Sequence, residues 1–150
     1  MISPELLRRY PFFGFLTDAE YKAIALVADE VEFADGAEVF KYRQKAEQIY
    51  FLISGYVSNY FIVDHDGYKE LYAGDVNPGE LFGISALVEP YVYSTTLRAN
   101  GDVKAIRIDA KALRASFEVD NRLGFEFMKA LSGALMQRLQ EARAQMAEVR

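Results

Sequence analysis

The chain contains no cysteine, which excludes a disulfide scaffold, thiolate metal sites and thiol catalysis. It has a single histidine, His65, so the residues of Ser/His/Asp and Cys/His nucleophilic arrangements are in short supply. His65 sits in Asp64-His65-Asp66-Gly67, a hairpin-turn sequence, and without further His or Cys a zinc site has no support. No apolar run reaches the roughly 18 residues of a membrane span. The start, Met1-Ile2-Ser3-Pro4-Glu5, lacks the basic residues and apolar stretch of a signal peptide. A basic excess is missing too. With 17 Lys+Arg against 22 Asp+Glu the net charge is −5, the wrong sign for a general nucleic-acid binder. Gly and Pro are few, 10 and 4, so the chain is not a low-complexity one.

What is present describes an ordinary cytoplasmic domain. The 150 residues, 51% of them apolar, are enough to bury about 70% of the unfolded surface. Leu16-Thr17-Asp18-Ala19-Glu20-Tyr21 predicts a helix start, with Thr17 and Glu20 as a capping box, running to about Ala28. The aromatic stretch Tyr10–Phe15 is expected to pack down as an irregular segment. Short β-type runs follow at Val31–Phe33, Glu38–Phe40, Ile49–Ile53, Val57–Val63, Glu70–Ala73, Ser94–Ala99 and Val103–Ile108. Turn dipeptides separate them: Asp35-Gly36, Ser54-Gly55, Asp66-Gly67, Gly74-Asp75, Pro78-Gly79 and Asn100-Gly101. The pattern predicts a mainly β domain with flanking helices, an antiparallel β roll of jelly-roll type. Leu81–Val88, with Gly83, Ser85 and Ala86, suits a tight helical turn. Asp109 can cap a short helix and Asp120 a long one. The long helix carries apolar residues at Met128, Leu131, Leu135, Leu139, Ala142, Met146 and Val149. Thirty helical residues extend ~45 Å, more than this domain can cover with its own body. A second stripe, Leu123, Phe127, Ala130 and Ala134, faces the β region. Residues 1–120 therefore read as the β-roll unit and residues 121–150 as a dimerisation helix, within one domain.

In this order of elements the sequence resembles the cyclic-nucleotide-binding domain family, which includes catabolite activators, regulatory subunits of cyclic-AMP-dependent kinase and cyclic-nucleotide-gated channels. The resemblance runs from about Leu6 to Met146. It rests on Ile49-Tyr50-Phe51-Leu52-Ile53-Ser54-Gly55-Tyr56-Val57, on Pro78-Gly79-Glu80-Leu81-Phe82-Gly83, and on Ser94-Thr95-Thr96-Leu97-Arg98-Ala99. On the last helix, Leu131-Ser132 and Arg138-Leu139-Gln140 add to it. The resemblance implies a phosphate-binding cassette at Gly83, Ile84, Ser85 and Ala86, continuing to Tyr93, Ser94 and Thr95. It also implies a homodimer through Met128, Leu131, Leu135, Leu139, Ala142 and Met146.

The cassette departs from the family pattern at two positions. The position after the glycine, usually a Glu that accepts from the ribose hydroxyl, holds Ile84. The Arg that pairs with the phosphate about ten residues after the glycine is replaced by Tyr93. Where the activators carry hydroxyl residues near the purine, this chain has Ala142 and Arg143. Arg98 is a surface arginine on the opposite face of its strand, or a substitute for the missing cation. Eight of the ten tyrosines lie between Tyr42 and Tyr93 as sheet and core residues, or line a pocket for a flat apolar ligand. Arg138, Arg143 and Arg150 alternate with Glu141 and Glu148 as a solvated helix face.

The expected function is a non-enzymatic sensor or regulatory module with a diverged pocket, poor at binding cyclic AMP or cyclic GMP. It needs no cofactor or metal, though an unknown small ligand has a place, and it makes no direct contact with nucleic acid or membrane. The alternatives are the effector half of a catabolite-activator-type transcription regulator and a ligand-free structural dimer. In that family a helix-turn-helix domain follows the long helix, and this chain stops at Arg150.

Overall fold

Ser3 heads a first helix, α1 (Pro4–Arg8), its hydroxyl accepting from the Glu5 N–H, and Pro4 fills the first turn where its missing N–H is not needed. This helix was not among the sequence expectations. A 3₁₀ turn (Pro11–Phe13) leads to α2 (Asp18–Leu26), headed by the full capping box. There the Glu20 N–H donates to Thr17 Oγ1 and the Thr17 N–H to the Glu20 carboxylate. Residues 1–64, 66 and 69–149 are described in this computed structural model. His65 and Gly67 of the expected hairpin turn, with Tyr68 and Arg150, fall outside those residues.

Among the described residues six strands form one antiparallel sheet: β1 (Ala28–Phe33), β2 (Glu38–Phe40), β3 (Gln48–Asp64), β4 (Lys69–Val76), β5 (Leu81–Phe82) and β6 (Thr96–Asp109). β6 pairs with β1, β2 and β3, while β3 also pairs with β4 and β5, which closes the roll. α3 (Ala110–Val119) and α4 (Asn121–Glu148) follow, capped by the Asp109 and Asp120 carboxylates. The fold is the expected β roll with flanking helices and a long C-terminal helix.

Three expected turns are not turns. Ser54-Gly55 and Asn100-Gly101 lie inside the long bent strands β3 and β6, and Gly74-Asp75 lies inside β4. The β3–β6 register jumps from Ser54↔Lys104 to Tyr56↔Asn100, so these glycines sit at bulges. Gly55 has φ +83°, and a Cβ there would fall on the Asp102 carbonyl oxygen. A strand-breaking glycine and a bulge glycine look alike in sequence; the ladder across the way decides between them.

Two cores share the sheet. One joins Leu7, Phe13, Ile24, Phe51, Ile106, Leu113, Leu123, Phe127 and Leu131, and so glues the N-terminal elements and the first half of α4 to the roll. Phe127 is its hub, with Phe12 and Phe15 rings each 5.9 Å away and Phe117 at 5.4 Å. The other, inside the roll, contains Phe40, Tyr50, Leu52, Phe82, Tyr93 and Leu97. Beyond Leu131 no further α4 residue joins the buried core, and the helix stays tied to the roll only through polar contacts such as that of Arg138 with Glu80. Among the described residues, no helix is long and apolar enough to cross a membrane.

Candidate functional site

The short strand β5 delivers the chain to Gly83, whose left-handed backbone (φ +75°) starts a 3₁₀ turn at Ile84–Leu87. Space imposes glycine as well: a Cβ would lie 3.2 Å from the Gln48 carbonyl oxygen and 3.3 Å from the Tyr50 ring. The turn is pinned from below by Arg114 of α3. Its guanidinium donates to the Ala86 carbonyl at 2.5 Å and lies 3.9 Å over the Tyr91 ring.

Above this turn a cavity of about 280 Å³ opens inside the roll. Gly83, Ile84, Ser85, Tyr93, Ser94 and Thr95, all singled out in the sequence, line it together. Ala86 does not. It is fully buried in the inner core. Ile84 brings an apolar side chain where the family places a hydrogen-bond acceptor.

Tyr93, although part of the cavity wall, is buried. Its ring stacks on Phe40 at 3.6 Å between centroids and 9° between planes, and its hydroxyl donates to the Gln48 carbonyl at 2.5 Å. Burial, with Tyr50 beside it, pushes the Tyr93 phenol well above its usual range, so it stays neutral. The place of the expected phosphate counter-charge is thus filled by a neutral, fully engaged ring.

Arg98 lies on the other face of the sheet, next to Leu97, which lines the cavity. It grips Glu70 with two bonds of 2.5 and 2.6 Å, reaches Glu38 at 3.4 Å, and lies 4.9 Å over the Tyr60 ring. These bonds hold the Glu70 carboxyl below its usual range. Arg98 is therefore neither a free surface arginine nor a cation for the cavity.

Arg138 corrects another expectation. It was read as part of a solvated helix face, yet it is half-buried at the rim of the cavity. Its Nε donates to Glu80 at 2.9 Å and its Nη2 to the Leu81 carbonyl, which bolts α4 to the strand leading into the cassette. Sequence reasoning also missed Phe40, Asn59, Phe61 and Phe82 in the lining. The signal for two of them was the alternation Val57, Asn59, Phe61, which places a polar residue on an inward-facing row. The Asn59 amide oxygen is buried and has no hydrogen-bond partner.

On α4 the expected dimer stripe splits. Leu131 is turned into the domain's own core, and Met128 packs half-buried against that core. Leu135, Leu139, Ala142 and Met146 are exposed, as is Phe125. The exposed seam runs Phe125, Met128, Ser132, Leu135, Leu139, Ala142, Met146, Val149, in alternating steps of three and four, so Ser132 takes the place expected for Leu131. Acidic residues do not gather: among the described residues no group of three His, Asp or Glu side chains is placed to hold a metal. The one deeply buried carboxylate among the described residues, Glu20, is held by Arg122 at 2.5 Å.

The family model for the cyclic nucleotide-binding domain matches residues 30–120. No curated protein matches the sequence. Among solved structures, a protein from Geobacter metallireducens described as a cyclic nucleotide-binding protein is 36% identical. The match covers 93% of this chain and 99% of that one, with a TM-score of 0.82. The N-terminal domain of a transcriptional regulator from Streptomyces coelicolor is 25% identical over 91% of this chain and 94% of its own, with a TM-score of 0.67. The sensor domain of the transcriptional regulator DNR from Pseudomonas aeruginosa is similar in fold, at 24% identity over 91% of this chain and 95% of its own, with a TM-score of 0.71.

Proposed function

This chain belongs to the cyclic nucleotide-binding domain family, and we propose that it is a non-enzymatic, ligand-sensing regulatory module whose pocket has turned away from cyclic nucleotides. The observation that carries this reading is Tyr93, stacked on Phe40 and bonded to Gln48 where the family's phosphate-binding arginine would stand. Ile84 removes the ribose acceptor next to it. Each lost charge-assisted contact costs about 1.5–3 kcal/mol, roughly 10- to 150-fold in affinity. Two such losses take a micromolar ligand towards millimolar. The hydroxyls of Ser85 and Ser94 remain in the lining, but Arg138, the one cation there among the described residues, is already held by Glu80.

The module works in the cytoplasm without a cofactor, makes no direct contact with nucleic acid or membrane, and acts as a homodimer. The exposed three-and-four seam on the distal half of α4 supports the dimer, because a lone domain would leave Leu135, Leu139 and Met146 in water. A second reading is the effector half of a transcription regulator. It is favoured by the near full-length similarity to domains of two transcriptional regulators. Calorimetric titration with cyclic AMP and cyclic GMP tests the first reading. Dissociation constants above ~100 µM are expected from the missing contacts, and micromolar binding of either nucleotide overturns it.

A further inference from the structure

Apolar side chains, Phe40, Phe61, Phe82, Ile84 and Leu97 among them, make up much of the cavity wall, beside the hydroxyls of Ser85, Ser94 and Thr95. Asn59 stands apart because its amide oxygen has no partner. It lines the same cavity, directly opposite Leu97 in the β3–β6 register, and its amide oxygen is buried without a partner. A buried acceptor left unpaired lowers stability, so Asn59 calls for a role beyond packing. Its terminal torsion is broad and roughly two-fold, so a half-turn exchanges the places of the amide oxygen and nitrogen. Whatever occupies the cavity can then give this amide the hydrogen bonds it lacks.

Charge and shape narrow the occupant. Among the described residues Arg138 is the only cationic side chain in the lining, and it is engaged by the Glu80 carboxylate and the Leu81 carbonyl. An anion entering the cavity would find no free counter-charge, and would stand close to Glu80. The aromatic side chains around it already pair in parallel, Phe40 with Tyr93 at 9° and Tyr50 with Phe82 at 10°, which favours a flat partner. A volume of about 280 Å³ lies at the small end of ligand sites, enough for one or two fused rings.

Resting on the reading of this cavity as a sensor pocket, we propose that its ligand is an uncharged planar heterocycle. Its edge carries an N–H donor beside a carbonyl acceptor, and both bond to the Asn59 amide. The rings lie against Phe40, Phe61 and Phe82, and the apolar Ile84 side chain closes the cassette side.

Three ring-matched probes test this on the full chain: 2-quinolone (donor beside acceptor), quinoline (no donor) and quinoline-2-carboxylate (anionic). Binding is followed by proton–nitrogen NMR, including the Asn59 side-chain amide signal, which the Asn59→Leu variant identifies. The 2-quinolone is expected to shift the Asn59 amide and the Gly83 and Ser94 N–H signals, and to bind about tenfold tighter than quinoline. The carboxylate is expected to bind weakest. In Asn59→Leu, and likewise in Asn59→Ala, the preference for 2-quinolone over quinoline should vanish while quinoline still binds. The proposal is overturned if the variants keep that preference, if the carboxylate binds best, or if no probe shifts any cavity residue. Micromolar cyclic AMP binding would instead remove the parent reading, whereas weak cyclic AMP binding with silent probes removes only this inference.

Discussion

Tyr93 stands where a cyclic phosphate would need a cation, and its energetics can be measured directly. Tyr93→Phe keeps the ring stacked on Phe40 at 3.6 Å and removes only the hydroxyl that donates to the Gln48 carbonyl. Losing one such bond and leaving its acceptor unpaired costs about 1–2 kcal/mol. Tyr93→Ala removes the ring as well, which is expected to cost about 3–5 kcal/mol. Urea unfolding midpoints at unchanged slope read both values. The phenol adds a pH signature. Burial raises its folded-state pKa above the unfolded value, so its contribution is complete below about pH 10 and is lost as pH rises towards the folded-state value. The tyrosinate absorbance difference between wild type and Tyr93→Phe should therefore show no Tyr93 ionisation together with the exposed tyrosines. If Tyr93→Ala is no worse than Tyr93→Phe, or if Tyr93 ionises with the exposed tyrosines, the ring is not the plug described here.

Gly55→Ala forces a Cβ onto the Asp102 carbonyl at φ +83° and is expected to destabilise by roughly 3 kcal/mol or more. Gly36→Ala, at φ +81° with open space around it, should cost only about 1 kcal/mol in the same urea assay; equal losses would remove the steric explanation. Arg122→Ala strips the charged partner from Glu20, which is only 4% exposed, leaving it the Thr17 N–H, and is expected to cost about 2–3 kcal/mol, partly recovered by adding Glu20→Gln. Leu139→Glu places a charge in the exposed seam of α4 and should convert a dimer to a monomer in sedimentation at tens of micromolar, by the desolvation cost of a buried charge. A wild-type monomer, or an unchanged dimer in the variant, rules that seam out.

Local rules with a single physical cause were the most legible in the sequence. Thr17 and Glu20 sit three residues apart because a capping box needs that spacing, and the box forms as written. Asp109 and Asp120 cap their helices for the same reason. The β roll followed from short alternating runs. Glycine meant two different things, however, and only the opposing strand shows that Gly55 and Gly101 bend β3 and β6 rather than end them. Gly83, Ile84, Ser85, Tyr93, Ser94 and Thr95 were visible because the cassette is contiguous in sequence. Asn59 and Arg138 were not, because they reach the cavity from β3 and α4, far away along the chain. Leu131 and Ser132 exchanged roles on α4 because one residue of rotation, about 100°, separates the inward face from the outward one.

The most direct test of the central claim, that this cavity lost cyclic nucleotides with its acceptor and its cation, is calorimetry of cyclic AMP on the double variant Ile84→Glu/Tyr93→Arg beside wild type. The arginine has to leave the Phe40 stack and turn into the cavity, where the bound phosphate compensates its charge. A tightening of about tenfold or more is expected, on the magnitude of one restored charge-assisted contact. Two results contradict the claim: micromolar binding by the unmodified chain, or a correctly folded double variant that binds no better than wild type.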